Sequence, residues 1–196
     1  MNVAGLILAG GASQRMGTAK ALLDYRGETF LDRLIRIFGE SCSSVTVVLG
    51  HDPSIQNRII RANHAMFVFN PDYQKGQLTS LQCGLRSVPE EADAVLFTPV
   101  DYPAVASSTV KKVIGAAANN QFAVPRYDSR HGHPILFSTA FIGEFLALPV
   151  DGEARTVVHR NISRTVYVDV DDPGILRDVD DPRAYAELQE ASRPVE

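Results

Sequence analysis

Residues 3–11, VAGLILAGG, decide the fold: Val3–Leu8 is an unbroken apolar run, and it leads into the glycine pair Gly10-Gly11. A short continuous apolar run is typical of a strand that is buried on both faces of a parallel sheet. Glycines directly after such a strand let backbone N–H groups approach an anion, because no Cβ intervenes. The segment therefore predicts a buried first strand followed by a phosphate-binding loop.

The same apolar pattern recurs along the chain and alternates with stretches of helical spacing. Further candidate strands are Val45–Leu49, Ala65–Phe69, Ala94–Thr98, Ala123–Val124 and Pro134–Phe137. Candidate helices are Phe30–Gly39, Ser54–Ala62, Thr79–Val88, Ser107–Ala118, Thr139–Leu146 and Pro182–Glu190. This alternation predicts an α/β fold with a single doubly wound, mostly parallel sheet and helices on both faces. Ligands bind beyond the carboxyl ends of such strands, so we expect function in the loops after Leu8, Phe69, Thr98 and Phe137.

Composition limits the class of protein. The 196 residues include 19 Lys and Arg against 23 Asp and Glu, a net charge of −4, and no basic run, so neither nucleic acid nor an anionic membrane is an expected partner. Cys42 and Cys83 are far apart and lack metal-type spacing, as is typical of reduced, buried thiols in a cytoplasmic protein. We expect a soluble monomer or weak homo-oligomer, with one domain at residues 1–191 and a disordered tail at residues 192–196.

The loop after the first strand, residues 8–20, reads LAGGASQRMGTAK. It differs from two common phosphate-binding loops, because its spacing is not G-x-G-x-x-G and Gly17 is followed by Thr18 rather than the Walker A lysine. Arg15 could hold phosphate oxygens through forked hydrogen bonds, and Lys20 could supply a point charge. The loop therefore predicts a lid over a triphosphate, and the alternative is a solvated surface turn.

This segment resembles the signature L-A-G-G-x-S-x-R-M-G-x-x-K of nucleotidyltransferases that make dinucleotide forms of the molybdenum cofactor. Residues 76–85, GQLTSLQCGL, resemble the G-x-x-x-S-L-x-x-G-L segment of the cytidylyltransferase branch. Residues 132–137, GHPILF, and 178–182, DVDDP, resemble its G-H-P-V-L-F and D-I-D-T-P segments. The resemblance covers almost the full length. It implies a Rossmann-like nucleotidyltransferase fold related to the GT-A fold, and transfer of a nucleoside monophosphate to molybdopterin phosphate with release of pyrophosphate.

The resemblance also implies which residues bind the nucleotide. They are Leu8, Ala9, Gly10, Gly11, Arg15, Gly17, Lys20, Gly76, Ser80 and Asp101. Lys20 and Arg15 are the expected catalytic residues, because Lys20 can stabilise charge at the α-phosphoryl group and Arg15 at the β- and γ-phosphates. The resemblance favours CTP as the donor, with GTP as the nearest rival.

Transfer of an α-phosphoryl group needs a divalent cation, and Mg²⁺ binds one or two carboxylates together with phosphate oxygens. Asp101 follows the buried run Val95–Phe97, so the predicted topology carries it to the same sheet edge as Gly10. The family pattern here is G-D-M-P or G-D-Q-P. Val100 and Tyr102 replace two of its residues and leave the acceptor open.

The second metal ligand lies in an acid-rich stretch, residues 169–181. Its spacing partly fits a calcium loop, but Pro173 stands where a ligand is needed and a β-like segment precedes it. The resemblance implies Asp180 as the second Mg²⁺ ligand, with Asp178 and Asp181 as alternatives.

The resemblance places His133 on the acceptor side and adds Arg155 as an acceptor contact, with Arg130 as a further candidate. A buried structural histidine and solvated surface arginines are the alternatives to these roles. His131 and His133 lack the additional ligands that a zinc site needs.

Several functions remain open at this point. The acceptor could be a sugar phosphate or polyol phosphate instead of molybdopterin. A glycosyltransferase that uses a nucleotide sugar could share the fold but would release no pyrophosphate, and a non-catalytic regulator would bind nucleotide without turnover. The nucleotidyl-transfer hypothesis requires the lid and a divalent cation held by Asp101 and Asp180 to contact the same nucleoside triphosphate.

Overall fold

The computed structural model describes residues 1–13, 15–116 and 121–191. Its strands are β1 (Val3–Ala9), β2 (Asp24–Tyr25), β3 (Glu28–Thr29), β4 (Ser44–Leu49), β5 (Met66–Phe69), β6 (Ala94–Pro99), β7 (Phe122–Tyr127), β8 (Arg130–His131), β9 (Ile135–Ser138) and β10 (Thr165–Asp169). Its α-helices are α1 (Phe30–Gly39), α2 (Gln77–Leu85), α3 (Ser107–Ala116), α4 (Ile142–Leu146), α5 (Arg155–Arg160) and α6 (Pro182–Glu190). The end of the predicted helix Ser107–Ala118 and the predicted tail lie outside the described residues.

The main sheet has the order β10-β7-β9-β6-β1-β4-β5, with β8 paired to β7, and β2 and β3 form a separate hairpin. Strand β1 is central and runs parallel to both neighbours, β4 and β6. Strand β9 runs antiparallel to β6 and β7. This confirms the mostly parallel α/β sheet and places the carboxyl ends of β1, β4, β5, β6, β7 and β10 at one edge.

The direction of β9 corrects one expectation. Because β9 is antiparallel, the loop after Phe137 lies at the opposite edge from the loops after Leu8 and Thr98. The segment before β9, which contains His133, lies at the shared edge instead. An apolar run does not reveal strand direction, since parallel and antiparallel central strands bury the same side chains.

Helices cover both faces of the sheet. One buried cluster joins β1, β4 and β6 to α1 and α3 through residues such as Phe30, Ile35 and Val110. The other joins the opposite face to α2, α4 and α5 through residues such as Leu81 and Phe145. The two apolar clusters fix the sheet between helices, and its carboxyl edge is left open for a ligand.

The helix α1 coincides with the predicted range, and its start has a local cause. The Thr29 Oγ accepts a hydrogen bond from the Asp32 backbone N–H at 3.0 Å, which caps the helix. The predicted helix Ser54–Ala62 is wrong: residues Pro53–Arg58 and Ala62–His64 form 3-10 turns with extended backbone at Ile59 between them. The adjacent β-branched residues Ile59 and Ile60 favour extended backbone over a helix.

Both cysteines are free and partly buried, and burial raises the pKa of the Cys42 thiol to about 12.

None of the helices in the described ranges combines the length and the apolar character needed to cross a bilayer.

Candidate active site

A cleft of about 420 Å³ opens at the carboxyl edge of the sheet, beyond β1 and β6 and beside the start of α2. The predicted nucleotide and metal residues that line it are Leu8, Ala9, Gly10, Gly11, Arg15, Lys20, Gly76, Ser80, Asp101 and Asp180. Gly17 is not among the lining residues of this cleft and contributes to an adjoining depression. The lid and the two aspartates therefore meet in one cavity.

Lys20 lies between the two carboxylates. Its Nζ is 3.3 Å from Asp101 Oδ2 and 2.5 Å from Asp180 Oδ1. Arg15 Nη2 reaches Asp180 Oδ2 at 3.3 Å from the solvent side. The Lys20 side chain is 13% exposed and that of Arg15 is 69% exposed, so Lys20 is the inner cation and Arg15 the outer one.

The two carboxylates have opposite electrostatic environments. Burial raises the pKa of Asp101, and the charge of Lys20 opposes this rise. The hydrogen bond from Lys20 lowers the pKa of Asp180, with Arg15 acting in the same direction. Burial therefore disfavours the ionised form of Asp101, with Lys20 opposing that effect, whereas Lys20 and Arg15 stabilise the ionised form of Asp180.

Backbone hydrogen bonds hold these distant segments together. The Val100 N–H donates to the Leu8 carbonyl at 3.0 Å and joins the ends of β1 and β6. The Val179 N–H donates to the Asp101 carbonyl at 2.9 Å, which places Asp180 beside Asp101. Within the lid, the Lys20 N–H donates to the Ser13 Oγ at 3.0 Å and brings Lys20 over the cleft.

Two glycines shape the floor of the cleft. A Cβ on Gly10 would lie 2.9 Å from the Ser80 Oγ, and Ser80 is buried and accepts a hydrogen bond from Asn70 Nδ2 at 3.1 Å. Gly76 precedes α2 with φ of 114°, a backbone conformation that side chains other than hydrogen rarely allow. These glycines keep the backbone next to the cavity free of side-chain bulk.

The residues present fit a hard divalent cation. Asp101 Oδ1 is buried and has no hydrogen-bond partner, so it offers an unused carboxylate oxygen at the cleft. Of the alternatives to Asp180, Asp178 is exposed and Asp181 caps α6 by accepting from the Ala184 N–H at 2.9 Å. The described part of the chain contains no group of three or more His, Cys, Asp or Glu with metal-site geometry. A pair of carboxylates matches Mg²⁺, which takes its other ligands from phosphates and water.

A second cleft of about 540 Å³ adjoins the first, and Leu8 and Gln77 line both. His133 and Arg155, the predicted acceptor residues, both line it. Its walls are mostly apolar and include Phe97, Phe145 and Tyr167. Gln77 belongs to the quoted segment 76–85 but was not named as a site residue, and Tyr167 was missed.

His133 packs between two aromatic rings. Its ring centroid lies 4.7 Å from that of Tyr102 and 5.4 Å from that of Phe97. Burial lowers the pKa of His133 to about 4, so the imidazole is neutral at physiological pH, and its buried Nδ1 has no hydrogen-bond partner. Burial, with nearby carboxylates, raises the pKa of Tyr102 to about 12. Tyr102, which stands where the family has Met or Gln, thus packs against the ring of His133.

The two arginines on the acceptor side differ in position. Arg155 lies at the mouth of the second cleft and forms a forked ion pair with Glu153, with contacts of 2.5 and 2.9 Å. Arg130 is exposed on β8 and is not among the residues that line either cleft. Of the two, only Arg155 can reach a ligand in the second cleft without a large movement.

The sequence profile of one protein family, described as the MobA-like NTP transferase domain, matches residues 5–165. The chain belongs to this family. It is therefore a nucleotidyltransferase, and the lid and the carboxylates at one cleft are consistent with that activity. Asp180 lies beyond the matched residues, and the structure brings it to the cleft through its contacts with Lys20 and Arg15.

Two curated relatives show what this nucleotidyltransferase is similar to. It is 26% identical over 186 residues to the molybdenum cofactor cytidylyltransferase of Escherichia coli K12, covering 94% of each chain. It is 30% identical over 116 residues to a probable molybdenum cofactor guanylyltransferase of Bacillus cytotoxicus, covering 58% of this chain and 56% of that one. The first likeness spans the whole molecule and the second about half of it.

A solved structure has the same fold. The nucleotidyltransferase superposes on Rv0371c of Mycobacterium tuberculosis H37Rv with a TM-score of 0.81 and 28% identity, covering 96% of this chain and 97% of that one. A manganese complex of Rv0371c superposes with a TM-score of 0.77 at 25% identity, covering 97% of this chain and all of that one. That relative was crystallised with a divalent metal.

Proposed function

We propose that this nucleotidyltransferase acts in molybdenum cofactor biosynthesis and moves CMP from CTP onto the phosphate of molybdopterin in a Mg²⁺-dependent reaction that releases pyrophosphate. The observation that carries the proposal is the meeting of Lys20, Arg15, Asp101 and Asp180 in one cleft, directly beside a second, apolar cleft. A donor triphosphate and an acceptor therefore have adjoining sites. We also propose that residues 1–191 form one catalytic domain.

The reaction is an in-line displacement. An oxygen of the acceptor phosphate attacks the α-phosphorus of the nucleotide and forms the new P–O bond. The bond between the α-phosphorus and the bridging oxygen breaks, and pyrophosphate leaves with that electron pair. The acceptor phosphate is already ionised at neutral pH, so no general base on the protein is needed.

The cations of the lid neutralise the developing charge. Lys20 is the inner cation and would contact the α-phosphoryl oxygens and the incoming phosphate, while the more exposed Arg15 would contact the β- and γ-phosphates. In the free protein both cations pair with carboxylates. Substrate binding therefore exchanges these ion pairs for contacts with phosphate.

Asp101 and Asp180 would hold Mg²⁺, because one is buried with an unused oxygen and the other stays ionised. When bound, the ion neutralises phosphate charge and orients the triphosphate. The manganese complex of the M. tuberculosis relative supports a divalent metal, and Mg²⁺ is our choice among hard cations.

The second cleft would hold the acceptor. Its apolar walls would exclude water, Arg155 would bind an anionic group of the acceptor after leaving Glu153, and the neutral His133 would accept a hydrogen bond at Nδ1. Removal of water from this region prevents hydrolysis of the activated nucleotide.

The full-length likeness to the E. coli cytidylyltransferase supports CTP as the donor. The guanylyltransferase likeness, which has higher identity over a shorter stretch, makes GTP transfer to the same acceptor the second candidate. A sugar phosphate or polyol phosphate acceptor is the further alternative within this class of reaction.

The test is a pyrophosphate-release screen of the four NTPs against molybdopterin and a set of phosphorylated sugars and polyols, with Mg²⁺ present. We expect release with CTP and molybdopterin together and none when either is omitted. Release with GTP in place of CTP would reassign the donor. Nucleotide binding without release for any acceptor would identify a regulator and refute the proposal.

A further inference from the structure

Asp172 has a set of contacts that the proposed reaction does not use. It lies in the connecting segment, residues 170–181, which links β10 to α6. Its Oδ2 accepts hydrogen bonds from the Ala106 N–H at 2.9 Å and from the Thr109 Oγ at 2.6 Å. Its Oδ1 accepts from the Gly174 N–H at 2.9 Å. A single carboxylate thus binds three donors on two segments of the chain.

The contact with Ala106 and Thr109 places this carboxylate at the start of α3. The first N–H groups of a helix have no partners within the helix, and the helix dipole favours an anion there. Ala106 precedes α3 and has no side chain that could cap it, so Asp172 supplies the cap from a distant part of the sequence. The loop that carries Asp101 leads into this helix, and Asp172 therefore anchors the connecting segment to that loop.

Gly174 and Ile175, which follow Asp172, pack against two loops of the site, the one that carries Asp101 and the one that carries His133. A Cβ on Gly174 would lie 2.4 Å from the Ala104 carbonyl oxygen, so the segment touches the backbone of the Asp101 loop. The Ile175 carbonyl accepts from the His133 N–H at 3.1 Å, and a Cβ on Gly132 would lie 2.0 Å from that same carbonyl oxygen. The segment therefore also fixes the backbone of the acceptor-side histidine.

The end of the connecting segment returns to the metal-binding residues. The hydrogen bond from the Val179 N–H to the Asp101 carbonyl precedes Asp180 by one residue. Starting from Asp172, the chain thus touches the Asp101 loop, then His133, and then Asp101 again before it reaches Asp180. A shift at Asp172 would move the nucleotide side and the acceptor side of the site relative to each other.

We propose that Asp172 is a positioning residue, which caps α3 and thereby fixes Asp180 and His133 in register with Asp101. The proposal rests on the proposed function, because it takes Asp180 as a metal ligand and His133 as an acceptor contact. Mutation of residues that orient metal ligands without binding the metal themselves lowers metal affinity or activity by about 10- to 100-fold.

The neighbouring residue provides a matched control. Asp171 is exposed, and its replacement by Asn removes the same charge one position away. Asp172→Asn keeps the size of the side chain but replaces one acceptor oxygen by an amide NH₂, which in either orientation leaves the N–H of Ala106 or that of Gly174 without its acceptor. A difference between the two variants therefore reports the hydrogen bonds of Asp172 and not the net charge of the segment.

The experiment measures Mn²⁺ affinity by titration in the presence of CTP, and the KM for molybdopterin by pyrophosphate release, at a temperature well below the unfolding midpoint of each variant. We expect Asp172→Asn to weaken Mn²⁺ binding by about tenfold and to raise the acceptor KM by a similar factor. Asp171→Asn should stay within about twofold of the wild type. In an Asp180→Asn background, Asp172→Asn should add little further loss of Mn²⁺ affinity, since its effect passes through Asp180.

The outcomes separate this inference from the proposed function. Wild-type Mn²⁺ affinity in Asp180→Asn would refute the metal site itself. If Asp180→Asn binds Mn²⁺ more weakly but Asp172→Asn has the same Mn²⁺ affinity and acceptor KM as Asp171→Asn, only the positioning role of Asp172 is refuted. A lower melting temperature in Asp172→Asn with unchanged Mn²⁺ affinity and KM would also overturn it, because that result describes a purely structural residue. If Asp172→Asn does not fold, Thr109→Val, which removes one of the three donors, should show the same shifts at about threefold.

Discussion

Replacement of Lys20 by alanine tests the core of the proposed reaction. Lys20 is the inner cation of the cleft, and its Nζ contacts both Asp101 and Asp180. We expect the variant to fold and to bind the nucleotide, but to lose charge stabilisation at the α-phosphoryl group in the transition state. The loss should therefore fall mainly on kcat.

The geometry sets the size of the effect. The Lys20 ammonium lies 3.3 Å from Asp101 Oδ2, and a phosphate oxygen at that distance would gain roughly 5 kcal/mol of Coulomb energy at an effective dielectric of about 20. Desolvation offsets part of this gain. Removal of one preorganised donor to a developing oxyanion costs about 2.7–4 kcal/mol, so we expect kcat to fall by about 10²- to 10³-fold.

The assay is steady-state release of pyrophosphate from CTP with saturating molybdopterin, with circular dichroism as the check on folding. Lys111→Ala is the control, because Lys111 lies on α3, is 62% exposed and lies 3.9 Å from its Glu40 partner. It removes the same charge away from the cleft and should leave kcat unchanged. A folded Lys20→Ala enzyme with kcat close to that of the wild type would refute the role of Lys20 and the mechanism built on it.

Three further predictions follow from the site. Gly10→Ala should raise the KM for CTP by about tenfold or more, because the new Cβ would lie 2.9 Å from the buried Ser80 Oγ. The control is Gly39→Ala, which adds a Cβ in open space. An unchanged KM for CTP in Gly10→Ala would contradict the close approach of the two residues. Asp101→Asn should abolish turnover and raise the melting temperature at pH 7, since burial raises the pKa of Asp101 and ionisation of the buried carboxyl weakens the fold as the pH rises through that raised pKa. Calorimetry should show a larger gain at pH 7 than at acidic pH, and equal melting temperatures of variant and wild type at pH 7 would contradict the raised pKa. Burial lowers the pKa of His133 to about 4, so the stability contributed by its neutral ring is complete above pH 6.5 and is lost as the pH falls through about 4. In pH-dependent denaturation, His133→Asn should therefore lose less stability than the wild type over this interval. Equal acid sensitivity of the two proteins would show that His133 is not buried as a neutral ring.

Local patterns predicted most of the fold. The apolar run at residues 3–8 formed the central strand, and the helices Phe30–Gly39 and Pro182–Glu190 have the predicted limits, since both begin at side-chain caps that the sequence displays. The direction of β9 and the 3-10 turns at residues 53–64 were not predicted, because they depend on pairing and packing with residues far along the chain.

The site was predictable in parts. The glycine loop, Lys20 and Asp101 stand out because they follow buried strands, and ligands bind beyond the carboxyl ends of parallel strands. The likeness to a family motif favoured Asp180 over Asp178 and Asp181, but residue type and spacing did not separate them, since all three are carboxylates within four residues. Asp172 gave no local signal, because its donors Ala106 and Thr109 are more than sixty positions away.

By itself the sequence determined the α/β class through its periodicity and a cationic, glycine-rich loop through its residues, and its likeness to a family's motifs added the nucleotidyltransferase activity. Periodicity and short motifs are local properties of a chain. Only the tertiary structure showed that Asp180 lies beside Asp101, that His133 packs between two aromatic rings, and that Lys20 bridges both carboxylates. The physical reason is that these contacts join segments as much as 160 positions apart, as Lys20 and Asp180 are. Their geometry is set by the direction of β9 and by the hydrogen bonds of the connecting segment, which no stretch of neighbouring residues specifies.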